Sequence, residues 1–181
     1  MKNYFDDIVK NLSQLIKFDS SQAPATEGKP FGETNARCLD FYLSLASFLG
    51  FDVKNYDNYV GEVRFGSGED FAVLAHLDVV PAGGGWTHDP FGGEVDRESK
   101  RIWGRGAMDD KGPAIIALYA LKALKDEGFK PRKCIKLISA VTRNRAGRAL
   151  TITTRLPRCP KREFRPTRIS PSSTPRRAYY I

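Results

Sequence analysis

Between Asn3 and Phe18 the apolar residues fall at Phe5, Ile8, Val9, Leu12, Leu15 and Ile16, a spacing that predicts an amphipathic helix. A polar loop with two prolines follows, Pro24 and Pro30. Thr34 to Leu49 predicts a second amphipathic helix, closed by Gly50 as its C-terminal cap. Phe51–Tyr56 and Tyr59–Phe65 read as strands joined by a turn at Asp57-Asn58. Phe71 to Ala75 is a short apolar run, the pattern of a buried central strand. After the glycines 83–85, segments Gly93–Val95 and Arg101–Gly104 predict a hairpin. Pro113 to Phe129 is an apolar helix with Pro113 in its first turn and Gly128 near its end. Cys134 to Ile138 completes the series as another buried strand. Strands and helices alternate, so the expected class is α/β, a mixed sheet flanked by helices.

The pattern stops at Ser139. Apolar periodicity fades and prolines appear at 157, 160, 166, 171 and 175. Charge changes at the same place. Residues 1–140 hold 18 Lys and Arg against 20 Asp and Glu, a net of −2. Residues 141–181 hold ten Arg and one Lys against Glu163 alone, a net of +10. The overall charge of +8 therefore belongs to the tail. By composition residues 139–181 are expected to be poorly ordered. Ten arginines give them nonspecific attraction to nucleic acid or another polyanion. Phe164, Tyr179 and Tyr180 are their only aromatic residues, too few for a base-stacking platform, so specific nucleic-acid binding is not expected.

No run of about 18 apolar residues is present, which argues against a membrane helix. The first ten residues lack the basic start and apolar core of a signal peptide, so a cytoplasmic location is expected. Cys38, Cys134 and Cys159 share no close spacing and read as reduced thiols.

Candidate chemistry sits at two predicted strand ends. Ala75-His76-Leu77-Asp78-Val79-Val80-Pro81 is followed by Gly104-Arg105-Gly106-Ala107-Met108-Asp109-Asp110-Lys111-Gly112-Pro113. Imidazole and carboxylate donors suit zinc or a similar divalent ion. His76 is a candidate metal ligand. Asp78, two residues on, points the same way on an extended strand and is placed to orient the ring through its second nitrogen. Asp109 is a candidate ligand to one ion or a bridge between two. Glycines 104, 106 and 112 let the backbone turn tightly beside it. Taken singly, these features have plainer roles: Asp109 and Asp110 favour a helix N-terminus, Lys111 is a solvated charge, and His88 is a loop residue.

Together with Gly85-Trp86-Thr87-His88-Asp89-Pro90-Phe91, the two motifs resemble those of the dizinc metallopeptidase family of acetylornithine deacetylase, succinyl-diaminopimelate desuccinylase and carnosinase. Within it they look most like the PepV-type bacterial dipeptidases. The resemblance runs from about residue 4 to residue 138. It implies the N-terminal part of a zinc-peptidase catalytic domain over residues 1–138, two zinc ions in the intact family, and dipeptides as substrates. It implies that His76 binds one zinc, that Asp78 orients it and tunes the catalytic water, and that Asp109 bridges both ions. It also implies a G-x-x-E-E segment after the next strand, carrying the general base and a further ligand, and a separate lid domain.

Here the strand is followed by Ser139-Ala140-Val141-Thr142-Arg143-Asn144, which contains no acid. The lid is expected to be absent and the chain to be an inactive fragment. A shift of reading frame near Ser139 accounts for the change. The codons that permit the observed residues also permit, in a shifted frame, F-G-C-N-E-E, then a D-H pair and S-P-D-A-D-F-P, which resemble the family's next stretch.

Overall fold

The computed structural model describes residues 2–141 and the backbone of residues 178–180. Helix α1 spans Phe5–Ile16 and buries Val9, Leu12, Leu15 and Ile16, with Asp6 and Asp7 in its first turn, where the helix dipole favours them. Helix α2 spans Glu33–Phe48. Gly50 just past it takes φ 86° and donates its N–H to Ser47 O at 2.8 Å, as expected of its cap.

Strands β1 (Asp52–Tyr56) and β2 (Val60–Phe65) form an antiparallel hairpin. Its turn uses Asp57 and Asn58 at φ 50° and 57°, a left-handed conformation that these two residue types tolerate. Strand β3 spans Asp70–His76, β4 Glu94–Asp96 and β5 Arg101–Trp103. Helix α3 spans Lys111–Asp126, beginning two residues before Pro113, which therefore stays within the first turn. Strand β6 spans Cys134–Ala140 and so continues two residues past the expected end. Strand β7, Ala178–Tyr180, pairs antiparallel with β5. The rest of the tail, including Cys159, and its expected disorder lie outside the described residues.

The main sheet has the order β1-β2-β6-β3, with β6 antiparallel to β2 and parallel to β3. Alternation along the strands places Val63, Val73, Ile135 and Leu137 on one face. There they join one apolar cluster with Leu12 and Leu15 of α1, Leu39 and Leu43 of α2, and Ile115 and Leu118 of α3. One expectation fails. The Phe71–Ala75 run belongs to an edge strand of the described sheet, not a central one, and β6 holds the centre. Leu74 is 47% exposed and Phe71 38%. Apolar runs report how a strand's faces are covered, which does not say whether both its edges are paired. Cys38 and Cys134 are buried free thiols, as expected.

Tyr42 of α2 lies fully inside this core, its hydroxyl donating to Ala114 O at 3.3 Å. Burial pushes its hydroxyl up to about 12. Between pH 10 and 12 the unfolded chain loses this proton while the folded chain keeps it, so stability falls as pH rises. Urea titrations at stepped alkaline pH should show Tyr42→Phe flattening that fall by up to about 1.4 kcal/mol per pH unit. An unchanged slope would assign the loss to other groups.

Candidate metal centre

His76 ends β3, and the chain beyond it is tied down at several backbone groups. Leu77 donates its N–H to Ala140 O at 2.8 Å, and its own carbonyl accepts the buried Ser20 hydroxyl at 2.6 Å. Val79 donates to Ser20 O at 3.1 Å. Residues 76–79 are thereby pinned between β6 and the loop after α1.

The second motif turns beside them. Gly106 takes φ 84°, and a Cβ there would meet Val79 Cγ1 at 2.7 Å, so glycine lets the turn press against the first motif. The Asp109-Asp110 peptide is cis. Lys111 is fully buried, not solvated as its residue type suggests. Its ammonium donates to Leu15 O at 3.1 Å and Phe18 O at 2.7 Å, tying the end of α1 to the start of α3. Burial pushes this amine down from its ordinary range, opposed by the charges of Cys38, Asp19 and Asp78.

These constraints bring the three candidate site residues together. His76 Nε2 lies 3.1 Å from Asp109 Oδ1. Its Nδ1 lies 3.0 Å from the Asp78 carbonyl oxygen and 3.5 Å from the Asp78 carboxylate. The second ring nitrogen is thus held by Asp78, but the backbone carbonyl is its nearer partner. An Nδ1–H donated there leaves Nε2 as a lone pair facing a carboxylate oxygen. Two acceptors at that distance call for a proton or a cation between them. Asp78 is largely buried, while the Asp109 side chain is 58% exposed and open to an incoming ion.

The fit to a metal is partial. The separation of 3.1 Å is slightly shorter than the roughly 3.3–3.6 Å that two ligands of one tetrahedral ion leave between them, so a small movement of either side chain would admit one. Among the described residues no group of three or more His, Cys, Asp or Glu side chains could hold an ion. His76 and Asp109 are therefore at most a candidate pair of ligands.

His88 stands apart from this pair. Its ring stacks on Trp103 at 4.0 Å and its Nδ1 meets Glu94 at 2.9 Å. Two contacts escaped the sequence reading. Arg105 donates to Ala82 O at 2.8 Å and lies over the Trp86 ring, joining the loop after the first motif to the second. Asp110 accepts the His76 backbone N–H at 3.1 Å. It stands at the N-cap of α3, the helix N-terminus expected of it, but makes no side-chain cap bond to that helix. No sequence signal distinguishes a capping aspartate from one turned onto a neighbouring strand. Among the described residues no helix is long and apolar enough to cross a membrane.

Residues 72–141 match "Peptidase family M20/M25/M40". The chain is 47% identical over 136 residues to the Beta-Ala-Xaa dipeptidase of Lactobacillus delbrueckii subsp. lactis, an overlap of 74% of this chain and 29% of that protein. Its fold resembles human carnosine dipeptidase 1, with a TM-score of 0.69 and 22% identity over 84% of this chain and 35% of that one. The dipeptidase Dug1p of Saccharomyces cerevisiae gives a TM-score of 0.69 at 21% identity, over 84% and 35% of the two chains. Residues 72–141 are thus similar to that peptidase family, and the chain spans under a third of the length of the curated relative it matches.

Proposed function

We propose that this chain derives from a zinc-dependent dipeptidase and, as it stands, is catalytically incomplete. The observation that carries this is the pairing of His76 Nε2 with Asp109 Oδ1, with Asp78 on the other ring nitrogen. In that reading His76 and Asp109 hold the ion, and Asp78 fixes the imidazole tautomer that leaves Nε2 free. A bound zinc would supply a water that ionises near neutral pH. The dipeptidase named among the relatives supports a dipeptide substrate.

Incompleteness rests on the sequence after β6. No acid occurs between Ser139 and Arg162, where the family resemblance implies a general base and a further ligand. We attribute this to a change of reading frame near Ser139. The match to the family ends at residue 141, close to the change in composition. The arginines of the basic tail between residues 142 and 177, and the affinity for polyanions expected of them, fall outside the described residues.

Calorimetric titration with zinc chloride tests the half-site. The full chain should bind one ion weakly, and His76→Ala and Asp109→Asn should each abolish binding while circular dichroism stays unchanged. Zinc uptake that persists in both variants would overturn the assignment.

A further inference from the structure

The backbone amides at the end of β3 alternate in direction. Leu77 N–H turns toward β6, where it reaches Ala140 O. The N–H of His76, one residue earlier, turns the other way, toward the edge where the described sheet has no further strand. An open amide at that point would leave the metal-ligand residue tethered on one side only. The group that takes it is the Asp110 carboxylate, at 3.1 Å. An aspartate preceding a helix ordinarily accepts from that helix's own first N–H groups, and Asp110 makes no such bond.

Connectivity gives this bond its consequence. Asp110 is covalently joined to Asp109, and Asp109 faces the ring of the residue whose amide Asp110 holds. Backbone of His76, imidazole, Asp109 and Asp110 therefore close a ring. Its imidazole is braced from behind by the Asp78 carbonyl. Lys111, next in sequence, anchors this ring to the end of α1 through two carbonyls. Within a closed ring the spacing between Nε2 and Oδ1 is set by the backbone bond as much as by the side chains.

We propose that Asp110 is a positioning residue, whose carboxylate holds the His76 amide and so presets the imidazole against Asp109 before any ion arrives. The metal half of this rests on the proposed function, but the clamp itself is a property of the metal-free chain.

Proton–nitrogen NMR of the full chain, metal-free and then with zinc chloride, tests it. In wild type the His76 amide proton should lie downfield and exchange slowly, and the ring nitrogens should report the Nδ1–H tautomer. In Asp110→Ala the amide should move upfield and exchange faster, the ring should lose its tautomer preference, and zinc affinity should fall about tenfold or more. Asp110→Asn, which keeps a neutral acceptor, should recover amide protection and part of the affinity, with its amide shift between the other two. The proposal fails if Asp110→Ala leaves ring shifts and zinc affinity as in wild type, even if stability drops. Should that variant not fold, Asp110→Asn decides alone, and an unmoved His76 amide shift overturns the clamp. If wild type takes up no zinc, the half-site reading fails, and the metal-free amide and ring signals still judge Asp110.

Discussion

On the proposed reading, hydrolysis of a dipeptide by the chain as given should be undetectable with zinc present, and should appear when a single-base change in the gene restores the frame after Ile138. Two losses compound in the present chain. A general base contributes about 10²–10⁴-fold to such a reaction. Two ligands in place of a full set weaken both the hold on the ion and its effect on a bound water. On the proposed reading, with both missing, the remaining half-site would have no means of taking the water's proton. The shifted frame permits G-C-N-E-E over positions 140–144, beginning at the last residue of β6, where Ala140 lies opposite His76 in the parallel register. The restored glutamates would enter next to the existing pair. A coupled assay for released amino acids, with His76→Ala in the corrected background as the control, measures the effect. Sequencing codons 138–140 gives an independent check. If no single inserted or lost base yields G-x-x-E-E, the frame proposal is dead whatever the assay shows.

The sequence exposed most of the elements because each has a strong local signature. Helix α1 follows from its apolar spacing, the β1–β2 turn from Asp57-Asn58, and the end of α2 from Gly50. His76, Asp78 and Asp109 were legible as donors, and the structure places them within reach of one another although 33 positions separate the first from the last. What stayed hidden depends on tertiary neighbours. The edge position of β3 is a matter of which strands pair beyond it, and no residue within Asp70–His76 encodes that. Lys111 reads as a surface charge until the end of α1 closes over it and offers two carbonyls. Asp110 reads as a helix cap until the His76 amide competes for its carboxylate. Burying a lysine and withholding a cap both work against stability locally. Such departures from local preference cluster at sites, and both occur beside Asp109.

Gly112→Ala is the substitution for which local preference and tertiary contact disagree most sharply. Gly112 is the second residue of α3. Alanine is favoured over glycine in a helix interior by about 1 kcal/mol, so propensity alone predicts a gain. A Cβ at position 112, however, would stand 2.1 Å from Ala107 O, against the roughly 3.5 Å of an ordinary contact. The obstacle is a backbone carbonyl in the 104–110 turn, so no rotamer change relieves it. Either α3 or that turn must move by about 1 Å, and overpacking of this kind costs roughly 3 kcal/mol. The steric effect therefore wins, and urea unfolding should show a net loss of about 2 kcal/mol. Gly84→Ala, where nothing lies within 4 Å, should stay within about 0.5 kcal/mol of wild type. The displaced turn carries Asp109, so Gly112→Ala should also weaken zinc binding, whereas Gly84→Ala should not. A Gly112→Ala protein as stable as wild type would mean that the turn yields easily, and a turn that yields cannot hold Asp109 at a fixed distance from His76.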